Sequence, residues 1–117
     1  MEEIDLLTEW KNRLGLSDWF FVLMDHCSPS ELMEDADGTV EYVETTKCAL
    51  IRIVDEEQRN DSIRPFDYEQ VLVHQLLHCK FALLMGGNDW DRGLQARYLH
   101  TLVDDMARAL VSAKRGN

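Results

Sequence analysis

The sequence predicts an α+β domain: an N-terminal helix, a small, mostly antiparallel sheet and two closing helices. Three observations predict it. Apolar residues recur at helical spacing at both ends of the chain, they alternate with period two in the middle, and polar or Gly/Pro-bearing breaks separate the regions. With 117 residues, 45% of them apolar, the chain suits one domain spanning 1–117 with one core.

Residues 3–14, EIDLLTEWKNRL, set Ile4, Leu7, Trp10 (or Lys11) and Leu14 near one helical face, and Gly15 follows as a stop. The stretch DWFFVLMDHC, 18–27, has the aromatic and β-branched content of a strand. SPSELMEDADGT is polar, with Pro29 and an Asp-Gly pair, and reads as a loop with room for one helical turn. Next, TVEYVE alternates Val40, Tyr42 and Glu44 against Thr39, Glu41 and Val43. CALIRIV sets Ala49, Ile51 and Ile53 on one face and Leu50, Arg52 and Val54 on the other. Thr45, Thr46 and Lys47 form the turn between these two strands, and DEEQRNDSIRP is an exposed connection.

A helix is predicted from Phe66 to about Met85. Pro65 suits a position at or just before its first turn, and Asp67 and Glu69 favour the positive end of its dipole. Val71, Leu72, Val73, Leu76, Leu77, Phe81, Ala82, Leu83 and Leu84 surround it, so it should be central and buried. GGND ends it. A last helix, from about Asp89 to Ala113, carries Leu99, Leu102, Val103, Met106, Ala109 and Leu110 as its core stripe.

Twenty-two acidic residues against twelve basic ones leave a formal net charge of -10. That argues against binding nucleic acid or anionic membranes. It suits plain solubility, a basic partner, or imitation of nucleic acid. The start, MEEIDLLTEW, has acid where a secretory signal has basic residues, and no apolar run is long enough to cross a bilayer. Cys27, Cys48 and Cys79 are odd in number and form no C-x-x-C pair, so reduced thiols and a cytoplasmic location are expected. Trp10, Trp19 and Trp90 read as packing anchors.

The chemistry-bearing stretch is VLVHQLLHCKF, 71–81. His74 and His78 stand four apart, hence on one helix face, where two imidazoles can converge on one cation. The plainer alternative is a pair of core histidines, each with its own hydrogen-bond partner. Two unpartnered imidazoles on a buried helix would cost ~1–3 kcal/mol each, and a shared metal would satisfy both. On the last helix, His100 offers a third nitrogen, and Asp104 follows one turn later on the same face. His26, at the end of the first strand, would be a ligand only if that strand end reached the metal.

VLVHQLLHCKF followed by HTLVDDMARALV resembles the minimal gluzincin-type metallopeptidase-like domains, small relatives of thermolysin-like peptidases often found in phage and prophage genomes. The resemblance covers most of the chain and implies a zincin-like fold with bound zinc. In that family the active helix carries H-E-x-x-H and the next helix E-x-x-x-D, whose Glu binds zinc and whose Asp orients the first histidine. Carried over, His74 and His78 fall on the histidine ligands, Asp104 on the orienting Asp, and His100 where the Glu ligand would stand. Gln75 occupies the position of the general base.

A carboxamide cannot accept the proton of a zinc-bound water, so peptide hydrolysis is expected to be impaired or absent. Three accounts of Gln75 remain open: an engineered Glu→Gln change, a natural pseudoenzyme that binds a peptide without cutting it, or a likeness of fold alone. For an active site, the resemblance implies a peptide extended along a sheet edge at 39–46 or 47–54. Tyr42 or Tyr98 would be an oxyanion donor, although packing explains both. The competing function is an acidic interaction or regulatory protein with no metal chemistry.

Overall fold

A computed structural model of the chain describes residues 3–32, 36–59, 65–82 and 93–116. Helix α1 spans Glu3–Arg13, strands β1, β2 and β3 span Phe20–Cys27, Gly38–Val43 and Cys48–Val54, and helices α2 and α3 span Tyr68–Phe81 and Gly93–Arg115. Single 3-10 turns stand at Pro29–Glu31 and Glu56–Gln58. The class is α+β, as the sequence predicts. The expected helix stop at 86–89, and Trp90, lie outside the described residues.

Local chemistry accounts for the helix ends. Gly15 takes φ 71, and its N–H donates to the Asn12 carbonyl while Leu16 N–H donates to Lys11, which closes α1 with a Schellman motif. Leu16 is buried just beyond it. Asp67 caps α2 by accepting from Gln70 N–H, so the helix begins at Tyr68, two residues after the expected Phe66.

The sheet is mixed, with order β1-β3-β2. β2 and β3 form the expected antiparallel hairpin, with Val43 opposite Cys48 and Lys47 in the turn at φ 55. β1 pairs parallel to β3, so the prediction of a mostly antiparallel sheet fails for one of two pairings. An alternating pattern fixes which face of a strand is apolar and is blind to the direction of its neighbour. The same topology puts β3 in the centre, so 47–54 is not an edge, and among the described residues β2 is.

Ala49, Ile51 and Ile53, which the alternation sets on one face, are buried, with Val40, Tyr42, Phe21 and Leu23 packed beside them. α2 lies on that face and buries Leu72, Val73, Leu76 and Leu77. Gly38, at the head of β2, permits the close approach: a Cβ there would stand 2.7 Å from Val71 Cγ1 and 3.0 Å from Gln75 Nε2. Trp10 and Trp19 join the same core.

On α3 the buried residues are Val103, Ala107 and Val111, with Met106 and Leu110 alongside. Leu102 is 49% exposed and Ala109 is exposed. The stripe is therefore rotated from the predicted one, toward the face that also carries His100 and Asp104. No described helix is long and apolar enough to cross a membrane.

A buried carboxylate ties the helices together. Glu69 accepts from Trp10 Nε1 at 2.7 Å, from Lys114, and from Arg115 at 3.1 Å. Arg115 also holds Asp67, and Lys114 reaches Glu9 at 3.1 Å. Burial pushes the Glu69 carboxyl up, but the bonds from Lys114, Trp10 and Arg115 outweigh it and hold the group below its ordinary 4.5. A carboxylate whose folded pKa is depressed stabilises the fold above the unfolded pKa. That stability is lost as pH falls through the folded value. Acid titration below about pH 4.5 should therefore loosen this hub. Glu69→Gln should cost about 2 kcal/mol in urea unfolding at pH 7 and flatten the acid limb, less than a fully buried pair because Lys114 and Arg115 reach solvent. An unchanged acid limb in the variant would show that Glu69 is not the group that titrates.

Candidate metal centre

Helices α2 and α3 each bring two of the predicted site residues to a common seam. His74 and His78 are one turn apart on α2. His100 and Asp104 are one turn apart on α3. The ring centroids of His74 and His78 are 4.9 Å apart, those of His78 and His100 4.8 Å, and those of His74 and His100 6.5 Å. One ring nitrogen from each can be chosen so that all three lie within 4.8 Å of one another.

That spacing is a test of fit. Zinc holds imidazole nitrogens at ~2.0–2.1 Å in a tetrahedron, which puts any two of them about 3.3–3.4 Å apart. The longest separation here, 4.8 Å, exceeds that by about 1.4 Å, a difference that side-chain rotations can close. Three nitrogens also leave a fourth position open. The three imidazoles are a group that could hold a metal ion.

Asp104 stands behind the first histidine. His74 Nδ1 lies 3.3 Å from Asp104 Oδ1 and donates to it when Nδ1 carries the proton, which makes Nε2 the acceptor nitrogen of the ring. Arg108, one turn further along α3, pairs with Asp104 and stands 3.6 Å from Asp105. The sequence reading missed Arg108, although its i+4 spacing from Asp104 is a legible signal.

Burial sets the protonation of the rings. His78 is buried and its pKa falls to about 3, first through desolvation, then through the neighbouring His74 and His100. His74 is also lowered, chiefly by desolvation and against the pull of Asp104. Both are therefore neutral at physiological pH. His100 is exposed, so the cluster opens to solvent on the α3 side.

Gln75 is buried at 6% exposure. One residue on from His74, it turns about 100° around α2 toward the sheet, and its amide lies against Gly38 of the edge strand β2. Tyr42 is also on β2, but packs into the core. Tyr98 is 67% exposed, and two residues along α3 turn it about 200° from His100, away from the cluster. Packing accounts for Tyr42, and Tyr98 is not part of the site. His26 is exposed near Asp55, 3.7 Å away, and is not among the clustered imidazoles.

The cysteines are free thiols. Cys27 and Cys79 are buried and Cys48 is half-buried, and burial pushes the Cys79 thiol up to about 12, which keeps it protonated.

No protein-family model matches the chain, and no curated protein or solved structure matches it. The chemistry is therefore read from the site's own geometry.

A histidine whose folded pKa lies below its unfolded value of 6.5 binds fewer protons folded than unfolded as pH drops. Its contribution to stability is complete above about pH 6.5 and declines toward about pH 3. Metal-free protein should lose on the order of 1 kcal/mol per pH unit between pH 6 and 4 through His78. His78→Phe should reduce that slope in urea melts. An identical slope in wild type and variant would place the titrating group elsewhere.

Proposed function

We propose that this chain is a zinc-binding, metallopeptidase-like domain whose peptide-hydrolysing activity is impaired by Gln75. The observation that carries the reading is the convergence of His74, His78 and His100 from two helices, with Asp104 against His74. His74, His78 and His100 would hold the ion, and Asp104, steadied by Arg108, would orient the first ring. A bound zinc would polarise a carbonyl and acidify its water.

The rest follows from this chain's own groups. A general base beside the metal is typically worth ~10²–10⁴-fold, and a carboxamide at 75 supplies none of it. Gln75 is close in shape to Glu, so it leaves packing against Gly38 intact. Among the described residues β2 pairs with β3 alone, which leaves an edge to which an extended peptide could add as a further strand. A peptide held there without cleavage would make the domain a binding module.

Elemental analysis should find about one zinc per chain in protein purified without added metal. His74→Ala should abolish that stoichiometry, and Asp104→Ala should weaken zinc affinity by ~10–100-fold while the chain stays folded. Metal content indifferent to His74, His78 and His100 would sink the reading. In zinc-loaded protein, Gln75→Glu should raise cleavage of an unstructured peptide by ~10²–10⁴-fold. If the variant keeps its zinc and gains nothing, the pocket is a binding site and the missing base is not what silences it.

A further inference from the structure

Helix α2 covers one face of the sheet. On the opposite face β1 turns Phe20, Val22 and Met24 outward, at 66%, 45% and 41% exposure, and Val43 of β2 is 55% exposed. Phe20 stands beside Cys48, Val22 beside Leu50, and Val43 on the far side of Cys48. These side chains form one apolar strip across three strands. Parallel-paired strands are normally covered on both faces.

β1 is also an edge. Among the described residues it pairs with β3 alone, and it carries no Pro or Lys to discourage a further strand.

The two ends of this edge differ in charge. At its start, Lys47 pairs with Asp18, the Lys11 ammonium stands 5.7 Å over the Phe21 ring, and Lys80 also acts on Asp18. Lys47 and Lys80 there both act on the Asp18 carboxylate. At its far end Asp25, Asp55, Glu56 and Glu57 line a cavity of about 410 Å³ with His26 and Tyr68.

We propose that β1 is the contact between two copies of this chain, paired antiparallel across a twofold axis perpendicular to the sheet. Val22 then faces Val22 of the second copy and Phe20 faces Met24 of the second copy. The two sheets join into one of six strands, with the apolar strips continuous. Each copy's lysine end meets the other's carboxylate end, whereas a parallel pairing would oppose like ends. Such a contact is isologous and closes on itself.

The pairing runs over Phe20 to Met24. Beyond Met24 the ladder is broken by a register shift, where His26 takes φ 56. The net charge of -10 repels distant copies. At physiological ionic strength that repulsion is screened over ~8 Å, so the local pattern decides at contact.

Analytical ultracentrifugation of the full chain at physiological ionic strength tests this. Wild type should show a concentration-dependent dimer. Val22→Lys, which sets two ammonium groups opposite each other, should weaken it by about tenfold or more. It should leave the far-UV spectrum unchanged, because the Val22 side chain is partly exposed already. Lys47→Glu should weaken association, and Lys47→Glu combined with Glu57→Lys should restore it. A chain that stays monomeric at about 1 mM overturns the proposal. So does a dimer indifferent to Val22→Lys. Should that variant fail to fold, absence of the loss and recovery in the charge-exchange pair overturns it instead.

Discussion

Helix α2 is enclosed by the sheet and by α1 and α3, yet it carries two imidazoles at 74 and 78. A ring nitrogen removed from water needs a partner, or its burial costs about as much as a lost hydrogen bond. The rest of the arrangement answers to that constraint. Desolvation keeps both rings neutral, Asp104 takes one nitrogen of His74, and His100 closes the cluster from α3.

The seam that makes this meeting possible is held from its other end. Glu69 near the start of α2 binds Lys114 and Arg115 near the end of α3, and it receives the Trp10 indole from α1. Contacts then step along the antiparallel pair of helices, from 69 with 114, through 74 with 104, to 78 with 100. Because the register is anchored by a buried, multiply bonded carboxylate, the histidines inherit their spacing from the fold. Gly38 plays the matching part on the sheet side, where the absence of a side chain lets β2 lie against Val71 and Gln75.

Charge is distributed to the same effect. Of the acidic groups, Glu69, Asp67 and Asp104 are engaged by Lys114, Arg115 and Arg108 around the α2–α3 seam. The cluster itself is built from three imidazoles, with Asp104 behind His74. The unbalanced negative charge gathers elsewhere, as at the end of β1 around Asp25, Asp55, Glu56 and Glu57.

The amino-acid sequence by itself determined the element types and their faces. Period-two alternation set Ala49, Ile51 and Ile53 on one face, the apolar residues around α2 marked it as central, and Gly15 closed α1 through local backbone chemistry. The i,i+4 spacings also put His74 with His78, and His100 with Asp104, on common faces. Tertiary structure alone decided that β1 runs parallel to β3, that β3 is central, and that α3 is rotated to bury Val103, Ala107 and Val111 while Leu102 and Ala109 face out. It also decided that Glu69 is a hub rather than a dipole-favouring surface acid, and that Tyr98 points away from the histidines. The physical reason is one of range. Periodicity and capping act within a turn or two of backbone, whereas strand direction, helix rotation and the meeting of rings from two helices depend on contacts between residues distant in the chain, which a single sequence does not record.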